Sequence, residues 1–343
     1  MKKRKTLFFA LLGIYFVLAI IATSIGAASI TPYSVLIAIL KEIPIAGKYI
    51  GGDVPRAHFL IIFMVRMPRI AMASLVGMGL AVVGASFQSL FKNPLADPYV
   101  LGISSGSALG ASIAMVMKLS TILNFLSIVT VFAFVGAVAT TILVYFIAQV
   151  RGRVATTNLL LAGSAISFFM SSLISLIMAF NQQEVNQIVF WMMGSFNASS
   201  WKNIFIVAPV VFIGTAIIYL FYRDFNLMLV GEENAKSLGV YTERLKKVIV
   251  IISSMIIAVS VSFSGIIGFV GFIVPHMVRL IFGPNNKALI PFSALGGAIF
   301  LLFSDTIART AASPAELPVG AVTALIGSPY FIYLLIKMKK RGE

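Results

Sequence analysis

The chain has no cysteine, only two histidines and only 11 acidic residues among 343. Each shortage removes a class of function. Without thiols there is no disulfide framework, no iron–sulfur site and no thiolate zinc site, and the redox compartment stays open. His58 and His276 stand far apart in sequence and lack partner ligands, so His276 reads as a structural residue capping a broken helix rather than a metal or haem ligand. No GxxxxGK[ST] phosphate loop occurs. The single Gly-Lys pair, Gly47-Lys48, is followed by Tyr49, so the chain does not hydrolyse nucleotide by itself. No clustered acid, base or metal ligand supports a membrane enzyme, and neither a catalytic residue nor a cofactor is expected.

Charge is scarce too, at 11% of residues, while 59% are hydrophobic and runs of about 20 residues pass without a charge. That pattern predicts an all-α, polytopic membrane protein. The net charge of +15 sits in short clusters between apolar runs, as membrane topology demands, and not in a nucleic-acid-binding patch. After the basic KKRK, the apolar run Leu7–Ile30 exceeds a signal-peptide core and reads as a retained first span. Spans are expected near 7–30, 60–90, 98–117, 122–149, 156–180, 203–222, 246–264, 267–283, 290–308 and 318–337, about ten helices in one transmembrane domain covering 1–343. With the N-terminus inside, eight cations fall outside (Lys41, Lys48, Arg56, Arg66, Arg69, Lys118, Lys202, Arg309). The remaining 18 of 26 fall inside, which favours both termini in the cytoplasm.

Between the spans, SVLIAILKEI in the outer segment 31–65 reads as an amphipathic interfacial helix. The longest inner loop, 224–247, holds GEENAKSLGV, with Glu232 and Glu233 suited to a helix start and Gly239 to its stop. Such a helix is either a solvated connector or a docking device. Two stretches break the apolar rhythm in the same way: Asn93–Ala111 after the second span and Ser264–Leu280 after the seventh, both Gly-rich and Pro-broken. Irregular backbone at membrane depth is tolerated only where it is buried or lines an aqueous cavity. An offset of five spans inverts the second relative to the first, the geometry of an inverted repeat with a pathway at its interface.

Carboxylates are nearly absent from the spans, against the pattern of a proton- or sodium-coupled transporter. Asp305 alone lies well inside an apolar run, with Arg309 four residues on, and the two read as an intramembrane ion pair rather than a proton relay.

The stretches VRMPRIAMASLVGMGLAVVGASFQSLFKNPLADPYVLGISSGSALGA, LLLAGSAIS, FWMMGSF, GEENAKSLGV, SGIIGFVGFIVPHMVRLIFG and FSDTIARTAASPAELPVGAVTALIGSPYFIYLL resemble the FecCD permease family, in order, from Arg66 to Leu335. These are membrane subunits of ATP-binding-cassette importers for iron-siderophores, haem and cobalamin. The resemblance implies the type II importer fold and a homodimer or heterodimer of ten-span subunits in the cytoplasmic membrane. It also implies two cytoplasmic ATPases and an extracytoplasmic binding protein. It carries roles over to single positions. Gly231, Glu232, Glu233, Ala235, Leu238 and Gly239 fall in the loop that docks in the ATPase. Asn93, Leu95, Thr156, Thr157 and Leu161 match the cytoplasmic constriction. Arg66, Arg69 and Arg309 match arginines that meet the binding protein; lipid headgroups are the competing partner for the first two, and Asp305 is an equal claimant on the third. One departure stands out: where many relatives carry an Asp-His-Arg type turn, this chain has GPNNK at Gly283–Lys287. The cargo implied is a ferric chelate, with cobalamin as the alternative; a gradient-driven secondary transporter is the reading from another class.

Overall fold

The structure, a computed structural model, describes residues 2–26, 28–43, 51, 53–118, 127–150 and 153–341. Its helices are α1 (Lys2–Ser24), α2 (Pro32–Lys41), α3 (Arg56–Leu60), α4 (Met67–Leu90), α5 (Ile103–Val116), α6 (Ile128–Ala148), α7 (Thr156–Phe180), α8 (Val185–Met192), α9 (Trp201–Leu220), α10 (Tyr222–Met228), α11 (Glu232–Ser237), α12 (Thr242–Ser264), α13 (Val270–Phe282), α14 (Asn286–Ala308) and α15 (Val319–Arg341). A π turn, Ile61–Arg66, joins α3 and α4 into one 35-residue rod. Among the described residues the only strand pairing is Gln149–Val150 with Arg153–Val154, so the all-α class holds.

Among the described residues seven helices are long and apolar enough to cross a membrane: α1, the α3–α4 rod, α6, α7, α9, α12 and α14. With α5, α13 and α15 they occupy the ten expected span positions. At 14 and 13 residues, α5 and α13 reach only about 20 Å, short of a hydrocarbon core of about 30 Å. Each is therefore a helix completed by broken chain, and each follows a long helix, α4 or α12.

Span edges differ from the sequence expectation for physical reasons. Helices α12 and α14 start four residues before the expected 246 and 290, because their polar first turns continue the hydrogen-bond ladder that an apolar-run criterion discards. Conversely α5 and α13 start later than 98 and 267, since the backbone is left-handed at Gly102 (φ 71°) and Phe269 (φ 70°). The start of the expected span at 122, and Gly47 and Lys48, lie outside the described residues. His276 does not cap a broken helix: it sits inside α13, and neither ring nitrogen has a hydrogen-bond partner among the described residues.

Helix α4 is buried almost all round, packed on α14, α13, α9 and α12. Lipid offers no hydrophobic drive between helices, so close backbone approach has to supply the contact. A Cβ at Gly77 would collide with the Gly297 carbonyl, and one at Gly84 with the Gly271 carbonyl. Buried hydroxyls return their protons to the preceding turn, as Ser112 does to Ala108 O (2.7 Å) and Ser304 to Phe300 O (2.9 Å). The expected interfacial helix is α2, begun by Pro32 after the Thr31 cap, with Val35 and Ala38 buried in a small cluster with Ile62.

Candidate pathway and coupling sites

The first break is two proline-started turns in series. Asn93 Oδ1 accepts the Leu95 N–H at 2.8 Å, and Pro94 fixes the intervening φ. Asp97 repeats the device: its Oδ1 accepts the Tyr99 N–H at 2.7 Å, capping the 3₁₀ turn Pro98–Leu101 that Gly102 ends. These side chains satisfy backbone donors that a continuous helix would have paired.

The two breaks meet. The Tyr99 hydroxyl donates to Ile267 O (3.0 Å) and accepts from the Ile267 N–H (3.3 Å), and the Pro98 ring fills the space a Cβ at Gly271 would need. Between them opens a cavity of ≈ 250 Å³ lined by Leu95, Asp97, Gly268, Phe269, Phe272 and Phe331. Gly163 of α7 lies against the Val100 carbonyl, which brings α7 to the same break. Of the sequence-derived gate residues, Leu95 lines the cavity and Asn93 shapes its turn. Thr156, Thr157 and Leu161, on the first two turns of α7, are outside its lining. Asp97 and Phe269 were not singled out from sequence; the Asp-Pro turn signal was available for the first, while nothing local marks a phenylalanine with positive φ.

On the loop between α10 and α12, Gly231 (φ 133°) and Gly239 (φ 90°) bracket α11. Its underside is fixed: Ala235 is fully buried, its N–H donates to Gly231 O (2.9 Å), and its carbonyl accepts the Val240 N–H (3.0 Å). Glu232 Oε1 accepts from Lys246 Nζ at 2.7 Å and from Thr242 Oγ1 at 3.3 Å, stapling α11 to α12. Burial pushes the Glu232 carboxyl up, but the Lys246 hydrogen bond and the charges of Lys246 and Lys236 outweigh it, leaving the group below the usual carboxylate range. The open side of α11 is polar, with Glu233, Asn234, Lys236 and Ser237 exposed, and the chain that leaves it is apolar and open, with Leu238 62% and Tyr241 80% exposed.

Beside it, the turn GPNNK acquires a task. Asn226 Oδ1 of α10 accepts from Asn286 N (2.8 Å) and Nδ2 (3.1 Å), and Asn286 Oδ1 accepts from Ser89 Oγ (2.8 Å) of α4. Asn286 is wholly buried.

At the opposite end of α4, all three arginines assigned to docking are buried. Arg66 donates to Thr23 O (2.8 Å), Ser24 O (2.9 Å) and Ala28 O (2.6 Å) at the end of α1. Arg69 grips Asp305 through Nε (3.0 Å) and Nη2 (2.8 Å), with Nη1 on Asn197 Oδ1 (2.7 Å) and Glu316 (2.9 Å). Arg309 donates to Ala22 O and stands 3.9 Å from Asp305. The expected Asp305–Arg309 pair is thus the longer contact, and Arg69, distant in sequence, is the main partner.

The sequence profile of the FecCD transport family matches residues 13–337. The chain belongs to the FecCD family. Consistent with that, it is 41% identical over 282 residues to the cobalamin import system permease protein BtuC of Halobacterium salinarum, covering 82% of this chain and 75% of the relative. It is 39% identical over 281 residues to the hemin transport system permease protein HmuU of Yersinia pestis, covering 81% and 82%. A solved inward-facing structure of a metal-chelate type ABC transporter superposes with a TM-score of 0.83 at 31% identity, covering 97% of this chain and 99% of that one. This FecCD chain is accordingly a multi-pass membrane permease of ATP-binding-cassette importers for iron chelates, haem, cobalamin or similar compounds, a family consistent with non-enzymatic transport.

Proposed function

We propose that this FecCD permease moves a ferric chelate, siderophore or haem, into the cytoplasm by alternating access. Two cytoplasmic ATPases drive it, a second permease subunit completes the pathway, and an extracytoplasmic protein delivers the cargo. Both termini and the α10–α11 loop then lie in the cytoplasm, in accord with the distribution of Lys and Arg. The observation that carries the coupling role is the presentation of this loop: α11 has its underside buried and stapled to α12, and the turn that follows it holds Leu238 and Tyr241 exposed where a partner would cover them. Asn93, Leu95, Thr156, Thr157 and Leu161 form the inner gate in this reading. Docking at Arg66, Arg69 and Arg309 takes a narrower form, because these arginines already have internal partners. An incoming carboxylate would reach Arg69 by displacing Glu316, whose side chain is 36% exposed. Cobalamin is the second cargo, favoured by the identity to BtuC.

The test is uptake in proteoliposomes holding permease and ATPases, fed with binding protein loaded with a ferric siderophore, haem or cobalamin. Ala235→Pro deletes the N–H that bonds Gly231 O and costs the short helix about 3 kcal/mol. Uptake should fall at least roughly tenfold while the spans keep their thermal stability, since α11 lies outside them. Wild-type uptake by the folded variant would remove α11 from coupling. Uptake that persists with no ATPase present would move the protein to gradient-driven transport.

A further inference from the structure

At the coupling end of the bundle, the start of α1, the end of α9 and the start of α14 enclose a groove of ≈ 580 Å³. Its charged lining is entirely cationic: Arg4 and Lys5 from α1 and Lys287 from α14, with no acidic residue among the lining side chains. Arg4 is oriented by a hydrogen bond from Nη2 to Phe282 O (3.2 Å). Asn285 Oδ1 accepts from Lys287 N (3.0 Å) and Asn226 Nδ2 (3.1 Å), so the amide group it has left for the groove is a donor. The walls are aromatic. Phe8 meets Phe292 edge-on at 5.6 Å, Phe292 stacks on Phe282 at 3.9 Å, and Phe9 is 67% exposed.

The topology rule accounts for cations at this end of the molecule, but not for their convergence from α1 and α14 above an apolar wall. Cations with no carboxylate among the described lining residues, set over aromatic rings, complement one kind of molecule: a phosphodiester carrying acyl chains. We propose that the groove is a binding site for an anionic phospholipid, phosphatidylglycerol or cardiolipin, with its phosphate among Arg4, Lys5 and Lys287 and its chains along Phe8, Phe9 and Phe292. The departure at Gly283–Lys287 supplies Lys287 and Asn285, so the site belongs to this chain's own turn. A lipid held there ties α1 to the turn that contains Asn286. Its assignment to the cytoplasmic leaflet rests on the proposed orientation, whereas the headgroup chemistry does not.

The experiment is native mass spectrometry of the full-length permease in detergent, titrated with phosphatidylglycerol or with phosphatidylcholine of the same acyl chains. The anionic lipid should bind roughly a hundredfold more tightly, since each of the three cations contributes about fivefold. Arg4→Gln, Lys5→Gln and Lys287→Gln together should abolish the preference; all three side chains are exposed, so the variant folds. Phe9→Ser, which keeps every charge, should weaken both lipids alike. Lys247→Gln, an exposed cation outside the groove, should change nothing. Equal retention of the two lipids, an unaltered preference in the triple variant, or an equal loss in Lys247→Gln would overturn the site. Competition by free glycerol phosphate at matched concentration would overturn the lipid in favour of a soluble phosphate. Neither ATP nor a partner enters the measurement, so its failure is separable from failure of the transport reading.

Discussion

Asp305 is 1% exposed and faces two guanidiniums, Arg69 at 2.8 Å and Arg309 at 3.9 Å. Removing one member of a buried ion pair strands its partners and typically costs about 3–5 kcal/mol, whereas a partly exposed pair contributes about 1 kcal/mol or less. Asp305→Ala should therefore lower the melting temperature of the detergent-solubilised permease far more than Glu316→Ala. Replacing the three buried charges together, as Asp305→Leu, Arg69→Met and Arg309→Met, should restore part of the loss, because apolar side chains of similar volume take their place while Glu316, 36% exposed, stays in contact with solvent. Equal melting of Asp305→Ala and wild type would deny the network any structural role. The same geometry means that reversing Arg66 and Arg69 to Glu strands their internal partners and perturbs folding, so that variant would not by itself test the proposed docking. The Asp305–Arg309 pair was legible in the sequence because four residues on one helix make neighbours. Arg69 was not, since no local pattern joins two helices 236 positions apart.

At the scale of elements, the staple between α11 and α12 makes a pH prediction. The folded-state pKa of Glu232 lies below its ordinary value, so its contribution is complete above the usual carboxylate pKa and is lost as pH falls through the folded one. Lys246, Lys236 and Glu243 are the charged groups around it. Hydrogen exchange of the α11 amides, corrected for intrinsic rates, should show protection that is flat near neutrality and drops below about pH 4, by no more than about 1 kcal/mol for a partly exposed pair. Glu232→Gln should abolish the drop; an unchanged profile would mean that Glu232 does not hold the helix. The boundaries of α11 and the two breaks were readable because Gly, Pro and acidic first-turn residues act locally. What escaped were α8, α10 and the polar first turns of α12 and α14, where hydropathy falls but the ladder continues. The place of Asn285 and Asn286 escaped for a different reason: a turn's role depends on what packs against it, and Asn226 and Ser89 are remote in sequence.

Across the whole molecule, the α10–α11 loop, the proposed coupling element, reaches the paired breaks by two routes. Helix α11 is stapled to the start of α12, whose far end is the break at Gly265–Phe269; Asn226 of α10 reaches Ser89, two residues before the break at Phe91, through Asn286. The breaks are joined by the Tyr99 hydroxyl on Ile267, so a displacement of the loop bears on both sides of the Leu95 cavity. Coupling needs such a contiguous element with two arrangements, and an asparagine with all its groups engaged is a rigid joint. Asn286→Ala removes the side-chain part of that joint, breaking the link to Ser89 and one of the two bonds to Asn226 while the backbone N–H keeps the other, at a cost of about 1–3 kcal/mol; Ser89→Ala deletes one hydrogen bond of about 1 kcal/mol. In proteoliposomes with the partner ATPases, Asn286→Ala should keep ATP hydrolysis while chelate uptake per ATP falls roughly tenfold, with Ser89→Ala shifting in the same direction by less. If uptake per ATP is unchanged in a folded Asn286→Ala permease, the closure signal runs through α11 and α12 alone.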